Sequence, residues 1–127
     1  MADMTLQRIP FTSDNDNRMR TLKARTGITP NLLARCGFCI SLEEPGFPKS
    51  IKFQDDIGRE INRTTLLGQY DEMFIALMKT WMIEHNVSIE AEDEINRLFV
   101  DHMNRGLENV HSRVKNVGDL DRLSPRK

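Results

Sequence analysis

Cys36-Gly37-Phe38-Cys39 is a C-x-x-C, the spacing shared by dithiol redox sites and zinc sites. A redox pair needs its first thiol exposed at a helix N-terminus after a strand, where the helix dipole favours thiolate. Here the pair follows Pro30 to Arg35, a turn or more inside an apolar helical pattern, with no βαβ signal around it. Zinc would need two further ligands, and His85, His102 and His111 all lie far along the chain. The pair is therefore expected to pack as two buried, small apolar side chains. The histidines form no H-E-x-x-H or H-x-x-E-H pattern, and His102 falls near the apolar face of the last helical segment, as a hydrogen-bonded core residue does. No G-x-x-x-x-G-K-[ST], G-x-G-x-x-G or G-x-S-x-G occurs. Asp55-Asp56 with Glu60 has cation-binding types but reads as solvated acid in a polar loop. No catalytic residue, metal or cofactor is expected, and the chain reads as non-enzymatic.

Basic side chains offer a different chemistry. The net charge of -1 conceals blocks of +3 over residues 1–52, -7 over 53–112 and +3 over 113–127. From Asn17 to Leu42 there are five cations, Arg18, Arg20, Lys23, Arg25 and Arg35, and no acid. A single-sign segment of this kind attracts polyanions, because each phosphate it neutralises releases counterions. The competing reading pairs this segment with the acidic half, within the fold or across an oligomer.

The elements that must position these cations are mainly helical. A chain of 127 residues, 39% hydrophobic and 29% charged, is sized for one domain with a real core. It has no apolar run long enough to span a bilayer and no secretory-signal pattern at Met1 to Pro10, and two cysteines fit a reduced, cytoplasmic setting. Met4 to Thr12 reads as extended, without strict alternation and with Pro10 against a paired strand. Ser13 is the expected N-cap of a first helix reaching Arg25 or Thr26, ended by Gly27. On its wheel Arg18 and Arg25 share one flank, Arg20 and Lys23 the other. Thr29-Pro30 starts a second helix, apolar nearly all round, which calls for a central position or a second chain. Arg35 is its odd charge, either packed and paired or a phosphate ligand at the edge of the basic patch. Tyr70, Phe74, Leu77 and Trp81 set the stripe of a third helix ending at His85-Asn86. Ser88 starts a fourth, with Ile95, Leu98, Phe99, Met103 and Val110 as core and Gly106 on the same face, either as a weak point or to admit a close neighbour. The expected fold is all-α in the main: a compact four-helix domain over residues 1–115, a short extended N-terminal segment, and a flexible tail over 116–127. Residues 54–67 give no clear element.

Three stretches, in order, resemble the DndE family of DNA sulfur modification proteins. They are LKARTGITPN from Leu22 with LARCGFCISLEEP from Leu33, then GQYDEMFIALMK from Gly68, then HMNRGL from His102. The likeness spans about residues 18 to 110 and is poor from Gly46 to Leu67. These are packing and turn motifs rather than catalytic signatures. The resemblance implies a small helical subunit working beside sulfurtransferase-like and ATPase subunits in DNA phosphorothioation, where sulfur replaces a non-bridging phosphate oxygen. It also implies a homotetramer that binds nicked duplex DNA through surface basic residues. The family pattern carries over best at Lys23 and Arg25, less well at Arg18 and Arg20, while Lys49 and Lys52 lie in the poorly matched loop.

The function expected from the sequence is thus a non-catalytic DNA-binding subunit. It would contact the backbone through Arg18, Arg20, Lys23, Arg25 and Arg35 and favour a nicked duplex. Two alternatives stand beside it. One is a ribbon-helix-helix-like repressor whose ribbon is residues 4 to 11; the other is a protein-only adaptor of the modification complex.

Overall fold

A computed structural model describes residues 3–53 and 56–114. Its elements are β1 (Arg8–Thr12), α1 (Ser13–Thr26), α2 (Pro30–Glu43), β2 (Ile57–Asn62), the short α3 (Arg63–Leu67), a 3-10 turn (Gly68–Tyr70), α4 (Asp71–Glu84) and α5 (Glu92–Arg113). The chain is mainly helical, as expected, with four long helices and one small sheet among the described residues. The tail over 116–127 lies outside the described residues.

Helix α5 is the spine. Ile95, Leu98, Phe99, Met103, Leu107 and Val110 are buried along it and α2 packs across it. The crossing is a contact of backbone on backbone: a β-carbon added at Gly106 would lie 2.2 Å from the carbonyl of Gly37. Two glycines therefore let the helices approach more closely than any side chain permits. Around that point Phe38 meets Phe99 at 4.9 Å and Phe74 at 5.5 Å between ring centroids.

Strand β1 pairs antiparallel with β2, Ile9 opposite Ile61 and Pro10 opposite Glu60. The expectation that Pro10 opposes strand pairing fails because its missing N–H is not needed. Its carbonyl accepts from Asn104 Nδ2 at 3.1 Å instead. Register shifts between Phe11 and Thr12, and Gly58 passes so close to α1 that a β-carbon there would be 2.6 Å from Ser13 Cα. Buried Asn104 fixes the turn from β1 into α1. Its Oδ1 accepts from Thr12 N at 3.2 Å and Asn15 Nδ2 at 2.8 Å, and its Nδ2 also donates to Val100 O at 2.9 Å. All four of its hydrogen-bonding positions are used, so this buried amide rigidifies the core.

Several local expectations are corrected. The N-cap of α1 is Thr12, whose hydroxyl accepts from Asn15 N, and Ser13 is the first helical residue. Gly27 does end α1, left-handed at φ 75°. Helix α5 begins at Glu92, because the Ser88 hydroxyl accepts from Glu90 N in a separate turn. The buried face of α4 is Phe74, Met78, Trp81 and Met82, while Tyr70 and Leu77 stand exposed: the stripe is rotated from the one expected. The stretch without a clear expected element forms β2 and α3. Arg63 locks it, donating to both carboxylate oxygens of Asp71 (2.6 and 2.8 Å) and to Met4 O at 2.7 Å. The hydrogen bond from Arg63 holds the Asp71 carboxyl below its ordinary range.

Candidate nucleic-acid interface

Helix α1 turns Asn15, Asp16, Met19, Leu22 and Thr26 inward. Its outer ridge of Ser13, Asn17, Thr21 and Ala24 carries no charge, and cations stand on either side. On the β2 side Arg20 lies 3.0 Å from buried Asp16, which is also held by Arg59 at 2.7 Å. Lys23, on the same side, is exposed and has no ion-pair or hydrogen-bond partner among the described residues. On the α5 side Arg18 donates to Asn15 Oδ1 at 2.8 Å and lies 3.9 Å from Glu108. Arg25, one further stretch along this flank, is likewise exposed and unpartnered among the described residues. Lys23 and Arg25 also occupy the last turn, where cations complement the helix dipole.

Helices α1 and α5 run parallel here: Asn15 meets Asn104 and Arg18 meets Glu108. The next turn of α5 brings half-buried His111 into the seam. Burial, then Arg18, then Arg25 push its imidazole below the ordinary range. Beside Arg18 the loop before β2 closes a cleft of about 460 Å³, where Lys49 and Lys52 join Arg18 opposite Asp14, Asp56 and Glu108. No local pattern in the chain joins these lysines to α1. Arg59 and His111 were missed as neighbours of the basic helix for the same reason, since contacts across 43 positions or more leave no periodic trace.

Arg35 sits elsewhere. Its Nε donates to the carbonyl of Leu66 and its guanidinium lies 5.7 Å from the Tyr70 ring centroid. It is half-buried and neutralises no acid among the described residues, so both packing and residual charge describe it.

The cysteines depart from expectation. Cys36 is half-buried and Cys39 exposed, because α2 keeps an outward face that also carries Leu32, 48% exposed. They are free, and both thiols are raised above the ordinary range, mainly by partial burial. Among the described residues no cluster of three or more metal-ligand types occurs, and Asp55 lies outside them.

A hydroxyl–imidazole pair does exist: Ser41 Oγ lies 2.8 Å from His102 Nδ1. Both residues are fully buried, and Arg105 Nε donates to Ser41 Oγ at 2.8 Å, which directs the hydroxyl proton toward His102. Burial and the Arg105 charge push His102 down to about 3, leaving no base strength in an inaccessible pair. His102 is a core residue as expected, with Trp81 edge-on at 4.4 Å. No described helix is long and apolar enough to cross a membrane.

Residues 8–117 match the family described as DNA sulphur modification protein DndE. A crystal structure of DndE from Escherichia coli B7A, described as involved in DNA phosphorothioation modification, superposes with a TM-score of 0.66 at 22% identity, covering 84% of this chain and 98% of that one. A glycine-to-lysine mutant of DndE, described as involved in DNA phosphorothioation, gives 0.59 at 21% identity, covering 83% and 99%. No curated protein matches the chain.

Proposed function

Since the chain belongs to the DndE family of DNA sulphur modification proteins, we propose that it is the DNA-holding, non-catalytic subunit of a phosphorothioation system. The observation that carries this reading is the exposed α1 ridge, uncharged along its crest, with unpartnered Lys23 on one side and Arg25 on the other, among the described residues. Cations disposed this way meet phosphates without entering a groove, so they position DNA and read little sequence. Arg18 and Arg20 extend the two rails, although each shares its charge with a carboxylate. Arg35 contributes least, its Nε being engaged by Leu66.

A homotetramer, cytoplasmic and working beside the sulfurtransferase-like and ATPase subunits, completes the proposal. Exposed Leu32 on α2 and Met73, half exposed on α4, are apolar surface that a second copy would cover. Repeated α1 helices would then present several basic faces. A nick lets the duplex bend onto two of them without the roughly 1–6 kcal/mol that smooth bending of an intact site costs. The repressor alternative loses its ribbon, because β1 is paired to β2 on one side and held by Asn104 on the other.

Fluorescence anisotropy with intact and singly nicked duplexes over a salt series tests this. The expected result is sequence-independent binding that favours the nick. Replacing Arg20, Lys23 and Arg25 with alanine should flatten the log–log salt slope by about 0.9 for each phosphate no longer neutralised. A triple variant with unchanged affinity and slope refutes the assignment, and no binding at physiological salt favours the adaptor.

A further inference from the structure

Arg59 reaches the basic face of α1 from another element. Strand β2 passes tightly over the first turn of α1 because Gly58 carries no side chain: a β-carbon there would stand 3.0 Å from Asp16 Cβ. The next residue, Arg59, is thereby brought to Asp16, and its Nε donates to Oδ1 at 2.7 Å. Arg20, one turn along α1, brings Nη2 to 3.0 Å from Oδ2. We propose that Arg59 is a phosphate contact of the DNA face, closing a two-guanidinium clamp with Arg20, and that buried Asp16 positions the clamp.

Burial places the three groups in layers. The Asp16 side chain is 7% exposed, while those of Arg59 and Arg20 are 31% and 68% exposed, so the acid lies beneath the two cations. One carboxylate between two guanidinium groups leaves a surplus positive charge. No second acid lies within ion-pair distance of either arginine among the described residues. Donors are left over as well. Arg59 spends only Nε on Asp16, and its two terminal nitrogens have no acceptor among the described residues. Arg63 shows what a purely structural arginine does in this fold: 16% exposed, it gives Nε and both terminal nitrogens to Asp71, Met4 O and Leu6 O. Free terminal N–H groups in one plane are the donors that meet phosphate oxygens in pairs. A long side chain loses conformational freedom when a ligand arrives, and a guanidinium already held from below has lost much of it in folding. Asp16 thus lowers the charge of the clamp and raises its order. Lys23, unpartnered on the same side of α1 among the described residues, continues the line of cations.

The inference rests on the DNA-binding reading for its ligand, and the test separates the two. Duplex affinity is measured by anisotropy over a salt series for the parent, Arg59→Gln, Arg59→Lys, Asp16→Asn and Lys23→Ala, with a urea midpoint for each. Arg59→Gln should weaken binding about fivefold or more and reduce the log–log salt slope by about 0.9. Arg59→Lys should restore the slope but not the full affinity, because an ammonium keeps the charge and lacks the planar donors. Asp16→Asn removes a negative charge, yet should weaken binding about threefold or more, since the clamp loses its order. Stronger binding by Asp16→Asn overturns the positioning role, because a carboxylate that only opposed DNA gives that sign. Arg59 variants that bind as the parent does, while Lys23→Ala lowers the slope, overturn the clamp and keep the DNA reading; a lowered urea midpoint in them then marks a structural tie alone. Where the parent binds no duplex, sulfate is titrated at constant ionic strength and the Arg59 and Arg20 Nε–H signals are followed by NMR. Saturable movement of both keeps the clamp as an anion site and removes the DNA reading, and unmoved signals overturn the clamp.

Discussion

Replacing Gly106 with alanine isolates the crossing on which the fold turns. The new β-carbon would stand 2.2 Å from both the carbonyl carbon and oxygen of Gly37, and 2.8 Å from its Cα. Ordinary carbon contacts lie at about 3.5–4.0 Å, so α2 and α5 must part by roughly 1 Å. The obstacle is backbone, which cannot swing aside as a side chain does. Helix propensity by itself favours alanine by about 1 kcal/mol. Against that, overpacking costs about 1–3 kcal/mol. Parting the helices also thins the packing of Phe38 on Phe99 and their neighbours, each pair forfeiting about a quarter to a half of its attraction. The balance is a net destabilisation of about 1–3 kcal/mol. Urea unfolding followed by circular dichroism, at several protein concentrations to expose any coupling to assembly, should show a lower midpoint with unchanged m. Gly27→Ala serves as the contrast. It meets nothing within 4 Å but has φ +75°, so it should cost only the left-handed strain of about 1–2 kcal/mol. A Gly106→Ala protein as stable as the parent, or more so, would show that propensity rather than backbone contact governs this crossing.

Two other outcomes follow from buried and half-buried groups. His102 titrates at about 3 when folded, against an ordinary value of 6.5, so the unfolded chain takes its proton first. Stability is then full above pH 6.5 and falls as pH drops toward 3, with about 2 kcal/mol removed at this group by pH 5. Urea midpoints at pH 7 and pH 5 check this, and equal values would contradict the buried, neutral imidazole. Depressed Asp71 acts only at lower pH, below the unfolded carboxylate range, while lowered His111 adds to the loss between pH 7 and pH 5 and raised Asp101 opposes it. At Cys39, exposure invites reaction but the thiol is raised by burial, Cys36 and Glu43. Iodoacetamide at pH 7 should therefore label it severalfold more slowly than free cysteine, because the thiolate is the nucleophile. Labelling at the free-cysteine rate or faster would speak for an activated dithiol instead.

Local chemistry made much of this protein legible from its residues. Gly27 and Thr29-Pro30 mark the joint between α1 and α2, because left-handed φ and a missing N–H are properties of single residues. The core face of α5 and the place of Gly106 on it follow from helical spacing alone, as do the two cationic flanks of α1, whereas the close approach at Gly106 is decided by α2. Tertiary structure decided what spacing cannot carry. Strand β2 exists because β1 and α1 give it a surface, and its own residues have little alternation to announce it. The face of α4 that turns inward, the exposure of Cys39 and the engagement of Arg35 by Leu66 all depend on where neighbouring elements stop. Period and propensity fix which residues share a face, and those belong to the chain. Which cation keeps its charge for a ligand depends on carboxylates, carbonyls and imidazoles brought from distant positions, and only the folded chain sets those distances.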